Sequence, residues 1–499
     1  MNAAIMLVVI LVLLFLKKLG LFGSTEKLPP GPNTWQVLRK VSEFRKQPHI
    51  AFSNLAKVYG PIISLRLGGQ FLIVASSAAT AKEILKTQDR NFSGRFLPLV
   101  YYKIPSAEQS SVVMSKECNA TWKFLRGMSQ NFIFSNKSVE STAGLRKSKV
   151  LEMVDYLRSK RGEIVNLDNL MNSTVSNIIS DVLVSRNVFD ITKEDETNDH
   201  ENMRALVNEI VDMVSSSVGL SDLFPFMRIL DFCSRKKAME IHKKLMHMWG
   251  DMVKERRSDR VHDVNYSARD FLDVLIDNSL TDDQIYVVFT ELLIAGTDSS
   301  SITLVWLMAE LIKNPDILRK VVEEVAKAFE GDLLIDEAIL TESKYLQACI
   351  KETLRFHMPG PFLVPHRAIE KCKIHDYVIP KDSVVLVNTW DISLDPKYWK
   401  DASSFNPDRF LTGDSKIDFR GAHFEYTPFG AGRRMCPGFN LAFKSIQIVV
   451  ASLVHYFDWS LPNGMDPTRI DTDSVFGTVL KKKQPLLLIP TPRDRNKMR

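Results

Sequence analysis

The sequence predicts a mainly α-helical protein with small β-sheets, and three observations predict it. Helical periodicity runs from Thr121 to about Leu318 with few breaks. Inside that block, an apolar pattern opening at Thr281 persists for roughly 33 residues, about 50 Å of helix. Strand signals are confined to short runs, chiefly Pro61–Leu67 and Phe71–Ala75 around Gly68-Gly69, and the stretch Ala368–Asn388.

Composition narrows the class. The 499 residues are 45% hydrophobic and 25% charged, which suits a globular protein with a substantial core. The net charge of +6 comes from 65 basic and 59 acidic residues spread along the chain. No long basic run is interleaved with aromatics, so a nucleic-acid partner is not expected. The five cysteines are odd in number and include no CxxC pair, which argues against a disulfide framework or structural zinc and fits a reducing compartment.

In chain order, residues 1–22 come first as an expected membrane anchor. Ala3–Leu16 is uncharged and apolar, about 21 Å of helix, and Leu19–Phe22 extends it past the snorkelling pair Lys17-Lys18. A cleaved signal peptide would place its basic residues before the apolar run and a small-residue site after it; neither is present. Positive charge after the segment puts the body on the cytosolic side. Residues 28–32, Leu-Pro-Pro-Gly-Pro, cannot continue a helix and form a stiff elbow. Residues 33–499 read as one catalytic domain, because the polar breaks at Ile191–His200 and Ser258–Arg269 are loops rather than Gly/Ser/Pro linkers.

Ser76 is the expected cap of a short helix ending near Thr87. Thr281-Asp282-Asp283-Gln284 is a capping box opening the long helix, which ends before Pro315. Further helices are expected to about Gly331, from Ser343 to Met358, and from Pro437 to Phe457.

Two segments carry chemistry. In Phe429-Gly-Ala-Gly-Arg-Arg-Met-Cys436-Pro-Gly438 the glycines allow a tight loop, and Cys436 stands just before a helix. Amides at a helix start stabilise a thiolate, and such a thiolate can hold haem iron and favour O–O cleavage. Arg434 is placed to meet a haem propionate. In Ala295-Gly296-Thr297-Asp298-Ser299-Ser300 a polar run interrupts apolar turns, which is costly in a core unless something uses it. Gly296 allows close approach, and a hydroxyl bonding back to the preceding turn opens the helix locally.

Phe429, Gly432, Arg434 and Cys436 reproduce the pattern F-x-x-G-x-R-x-C, and the loop resembles the haem-binding loop of the cytochromes P-450. The resemblance runs over nearly the whole chain. It implies the cytochrome P-450 fold, with the long central helix crossing over haem b, and Cys436 as the axial ligand of the iron. Glu352, Arg355 and Arg409 look like the family's buttress of the haem loop, although Asp408 stands where Glu is commoner. Trp122 and Arg126 match the W-x-x-x-R pair that meets the propionates, and His366-Arg367 resembles the propionate segment after the E-x-x-R helix. Ala295, Gly296, Asp298 and Ser299 match A-G-x-D-T, with serine in the alcohol position; Asp298 and Ser299 are the expected catalytic acid and alcohol. Phe429 and Gly438 complete the cofactor contacts.

No GxGxxG or P-loop stands in a strand–turn–helix context, so electrons come from outside the chain. The resemblance implies an NADPH-cytochrome P-450 reductase, met through Lys123, Arg433 and Lys444, with dioxygen and a small hydrophobic substrate as co-reactants. It also implies membrane lipid as a partner and the endoplasmic reticulum membrane as location. Substrate walls are expected at Phe226, Leu293, Phe362, Leu363, Val364 and Phe476, with Glu108, Asp222 and Glu291 as candidate anchors for a basic amine. Leu272–Asn278 and His366–Pro380 resemble the alkaloid branch of plant microsomal members, which contains N-methylcoclaurine hydroxylase, berbamunine synthase, corytuberine synthase and littorine mutase. A littorine-type oxidative rearrangement is the leading expectation. Benzylisoquinoline hydroxylation or phenol coupling is the alternative, followed by terpenoid or phenylpropanoid hydroxylation. An oxygen-independent thiolate-haem isomerase or a haem-binding protein would keep the cysteine loop but has no need of the acid–alcohol pair.

Overall fold

The computed structural model describes residues 27–67, 69–97, 101, 104, 106–191, 232–263, 266–267, 270–328, 337–411 and 417–493. The expected anchor at 1–22, most of the break at 191–200, Asp222 and Phe226 lie outside these residues.

Residues 28–33 form no helix or strand, and their backbone is tied to the first strand: Ser64 N–H donates to Pro30 O at 2.9 Å and its hydroxyl to Pro29 O at 2.6 Å. A Cβ on Gly31 would stand 1.9 Å from Ser64 O, so the chain passes there only as glycine.

Helices of ten residues or more are α1 (Pro48–Tyr59), α2 (Ala120–Ser129), α3 (Ala143–Ser159), α4 (Leu167–Val184), α5 (Phe232–His262), α6 (Asp282–Lys313), α7 (Pro315–Ala328), α8 (Lys344–Phe356) and α9 (Phe439–Tyr456). The largest sheet contains β1 (Ile62–Leu67), β2 (Gln70–Ala75), β3 (Gly94–Arg95), β4 (His366–Arg367) and β5 (Val384–Val387), in the order β1-β2-β5-β4-β3. The β1–β2 hairpin is antiparallel with Leu65 opposite Leu72, while β2 runs parallel to β5 with Ile73 opposite Val385. In the two-residue pairing that closes the sheet, Arg95 faces His366 and Gly94 faces Arg367.

The capping box at Thr281 and Gln284 is present, and α6 runs 32 residues from it. Its second half, Leu304–Ile312, lies in the main core with Ile446–Val454 of α9, Met153–Leu157 of α3 and Leu346–Leu354 of α8. Among the described residues α6 alone is long and apolar enough to cross a membrane, but 72% of its most apolar window is buried by protein, as befits a core helix.

Two local expectations are corrected. Ser77, not Ser76, caps the helix Ala78–Lys82 by accepting from Thr80 N–H, and a π-helical turn carries it on to Thr87. The polar stretch from Ser258 is helical to His262, within α5. Arg260 within it pairs with Asp273 and Asp277, beside Arg256, which pairs with Asp270 and Asp273.

Candidate functional site

The cysteine loop is shaped by its glycines. Gly430 and Gly432 have φ of +68° and +70°, and a Cβ on Gly432 would stand 2.0 Å from Leu85 O. Cys436 N–H donates to Phe429 O at 2.9 Å, closing the loop, and the Phe429 ring packs on Phe419 and Phe439. α9 starts at Phe439 with Gly438 at its N-cap, two residues later than the sequence suggests. A Cβ on Gly438 would press to 3.3 Å from the Phe134 ring. Burial pushes the Cys436 thiol up, while the Gly438 amide and the charge of Arg126 act the other way. Only a stronger positive centre at the sulfur would make it a thiolate at neutral pH.

Above the loop lies a cluster of cations. Arg434 donates from Nε to Ser93 O at 2.8 Å and from Nη2 to Ser115 O at 2.6 Å; its Nη1 is buried without a hydrogen-bond partner. Arg126 reaches across to Met435 O. Arg95, buried on β3, donates from Nη1 to Val364 O at 2.6 Å and from Nε to Val113 O at 3.3 Å. Burial holds all three guanidiniums below their ordinary values, and repulsion from the neighbouring arginines adds to it at Arg95 and Arg434. His366 is held down to about 3 by burial and by Arg95, with Nδ1 against Phe92 O at 2.7 Å. None of the three arginines makes an ion pair with a carboxylate among the described residues. An unpaired buried N–H costs about 1–3 kcal/mol. A ligand with two carboxylates meets both deficits, so the donor set fits the propionates of haem.

Two expectations about this cluster change. Arg367 faces away from it: β4 alternates, so with His366 inward Arg367 points to the opposite side, where it pairs with Asp382 and with Glu117 at 3.3 Å. Trp122 donates its indole N–H to Val112 O at 2.9 Å, and its ring is a plate under Arg434, 4.8 Å from the guanidinium carbon. Arg95 is the member that sequence reasoning missed. Its signal was weak, a lone arginine after glycine in a two-residue strand, and only the pairing with His366 brings it in.

On α6, Ser299 Oγ donates to Ala295 O at 2.8 Å, one turn back, and Thr303 Oγ1 repeats the bond to Ser299 O at 2.7 Å. Asp298 is buried beside Thr478, whose hydroxyl stands 3.5 Å from Oδ2, and burial pushes its carboxyl up. Gly296 lets α4 approach: a Cβ there would lie 3.1 Å from the Ile179 side chain. Glu352, Arg355 and Arg409 form one fully buried network. Arg355 binds Glu352 through Nε at 2.7 Å and Nη2 at 2.8 Å, and Arg409 Nε joins at 3.0 Å.

The expected walls divide. Phe362 and Phe476 meet edge to face at 6.0 Å, in a cluster with Phe52 and Phe96. Leu363 holds φ +57° beside the cysteine loop, its side chain within 3.5 Å of where a Gly430 Cβ would stand. Val364 lends its carbonyl to Arg95. Leu293 is corrected to a core residue: two residues from both Glu291 and Ala295, it lies about 160° round α6 from each, and packs in the cluster with Trp249, Phe289 and Leu275.

A family model described as cytochrome P450 matches residues 29–489. The chain is 38% identical to (S)-N-methylcoclaurine 3'-hydroxylase isozyme 1 of Papaver somniferum over 98% of this chain and 100% of that protein. It is 39% identical to corytuberine synthase of Coptis japonica, covering 97% of each, and 36% identical to tabersonine 6,7-epoxidase isoform 2 of Catharanthus roseus, covering 94% and 92%. With the cysteine loop, the cation cluster above it and the polar break in the long helix all in one place, this full-length likeness has one meaning: the chain belongs to the cytochrome P450 family.

Proposed function

We propose that this cytochrome P450 oxidises a benzylisoquinoline-type alkaloid, with Cys436 as the haem ligand and Asp298 and Ser299 as its proton-handling pair. Membership of the family brings haem on a cysteine thiolate, dioxygen, a small substrate and an external electron donor. The haem, when bound, supplies reductive activation of dioxygen at a thiolate-ligated iron. The chain's own parts are to hold and orient. Gly438 N–H and the Arg126 charge favour the thiolate, and Arg95, Arg126 and Arg434 present donors to carboxylates. Ser299 keeps its hydroxyl on the helix by its bond to Ala295 O, available to pass a proton, and Asp298, whose carboxyl burial pushes up, is the acid of the pair.

The observation that carries the substrate reading is the likeness to N-methylcoclaurine hydroxylases over essentially the whole chain. The littorine-type rearrangement led the expectations from sequence, but these relatives do not support it, and its benzylisoquinoline alternative replaces it. Electron delivery by a membrane-bound NADPH-dependent reductase would use the cysteine side, where Lys123 is exposed and Arg433 is paired with Asp89 at 3.1 Å. The anchor at 1–22 and a place on the endoplasmic reticulum, with residues 33–499 as a single domain facing the cytosol, belong to the same reading. Microsomes carrying the chain and a plant reductase, given N-methylated benzylisoquinolines, littorine and a monoterpenol in parallel, are expected to oxidise the first group in an NADPH- and oxygen-dependent way. Turnover of littorine or the terpenol alone would overturn the reading.

A further inference from the structure

Glu291 stands on α6 two turns before Ser299, on the same face as Ala295 and Ser299 by its spacing of four. Its carboxylate makes no ion pair among the described residues, although its charge reaches the Arg434 guanidinium; it accepts from the Ser111 hydroxyl, from Val112 N–H at 2.8 Å and from Val113 N–H at 3.1 Å. Ser111 Oγ in turn accepts from Met114 N–H at 2.5 Å. A trans peptide points its N–H and C=O in opposite directions. The peptide whose N–H is Val113's therefore turns its carbonyl, Val112 O, away from Glu291, and Trp122 Nε1 takes it at 2.9 Å. The next carbonyl, Val113 O, accepts from Arg95 Nε at 3.3 Å, and Ser115 O accepts from Arg434 Nη2 at 2.6 Å. Residues 111–115 are thus a strap. Its amides are gathered by one carboxylate on the long helix, and its carbonyls array the tryptophan plate and two of the three clustered arginines.

We propose that Glu291 is a positioning residue: through the strap 111–115 it sets the geometry of the Arg95, Trp122 and Arg434 cluster, and so couples the face of α6 that bears Ser299 to the retention and potential of the haem. The inference rests on the reading of that cluster as the haem-carboxylate site. A glutamine at 291 keeps one accepting oxygen and turns an NH2 group toward amide donors, so the strap loses part of its hold. Three donors divide over the two Glu291 oxygens, which satisfies the carboxylate without an ion pair.

The test uses the full-length holoenzyme and two readouts, the rate of haem transfer to excess apomyoglobin and the haem midpoint potential. Glu291→Gln is expected to speed haem loss about tenfold, the scale of one lost charge-assisted hydrogen bond, and to shift the potential. Ser111→Ala, which deletes the hydroxyl between the carboxylate and Met114, is expected to move both in the same direction by less, and is read alone if Glu291→Gln does not fold. Arg434→Leu reports on the cluster itself: if it leaves haem loss unchanged, the underlying site reading fails. Glu310→Gln, an acid on the same helix bonded to His357 at 2.7 Å and away from the strap, is expected to leave both readouts in place. The proposal is overturned if Arg434→Leu speeds haem loss while Glu291→Gln changes neither readout and only raises KM for an amine substrate. Equal acceleration by Glu310→Gln overturns it too.

Discussion

Among the described residues, an arginine cluster built on Glu352 and another around Arg434 differ in their hydrogen-bond accounts. In the first, Glu352 binds Arg355 and Arg409, and the remaining guanidinium N–H groups go to the carbonyls of Ser393, Ala402, Ser404, Lys400 and Asp401. The donors find protein acceptors, and one carboxylate bridges the two guanidiniums. In the second, Arg95, Arg126 and Arg434 make no ion pair with a carboxylate among the described residues, only the longer-range charge of Glu291 acts on Arg434, and Arg434 Nη1 has no acceptor. A closed network holds a fold, whereas one that is short of an anion is built for a ligand. The positions agree with this. Tyr426, whose hydroxyl donates to Lys351 O beside Glu352, leads into the cysteine loop from behind, while Arg434 lies within the loop itself.

Substitutions can break that contrast. The largest effect is expected from Glu352→Gln, which leaves two buried guanidiniums uncompensated and should cost about 3–5 kcal/mol. Denaturant unfolding of the haem-free chain measures it, and a loss under 1 kcal/mol would mean the network is not what holds the region. Arg434→Leu should do the reverse in the haem-free chain. Removing a cation that protein groups only partly satisfy is expected to be neutral or to stabilise by about 1 kcal/mol, while the loaded protein releases haem at least tenfold faster. If instead the haem-free chain is strongly destabilised, the two clusters are alike and the argument from missing partners is wrong.

The smallest effect is a pH dependence that belongs to the open cluster only. His366 is held at about 3 against an ordinary 6.5. The unfolded chain takes up a proton as pH falls through 6.5 and the folded one does not until about 3, so the stability tied to this group is present above 6.5 and lost progressively between them. The slope approaches about 1.4 kcal/mol per pH unit for one proton. Bound carboxylates beside His366 favour its cation, so haem should flatten the slope, and His366→Gln should remove its contribution. Unfolding midpoints at pH 7 and pH 5, with and without haem, compare the cases; equal slopes in all of them would remove His366 from the cluster's electrostatics.

Much of the site was legible along the chain because its signals are local. The capping box at Thr281, the glycines that turn the loop at 430 and 432, the i,i+3 pair Glu352–Arg355 and the polar break at 295–300 depend on residues within a few positions of one another. The misassigned residues were decided by direction. Arg367 and His366 are neighbours in sequence and opposites on a strand. Leu293 reads as a wall by proximity to Ser299, yet lies on the far side of the helix. At Gly296 the neighbour that approaches is Ile179.

By itself, then, the sequence determined the class of fold and the family, since helix period, loop glycines and short-range spacing are set by covalent neighbours. Only the tertiary structure decided which arginines gather over the loop, that Trp122 gives its indole N–H to Val112 O with its ring against Arg434, and that Glu291 holds the strap 111–115. Those contacts join residues separated by up to about 340 positions, such as Arg434 and Ser93. The reason is physical: where a side chain's last hydrogen bond goes depends on which carbonyls packing brings within 3 Å, and no local pattern encodes that.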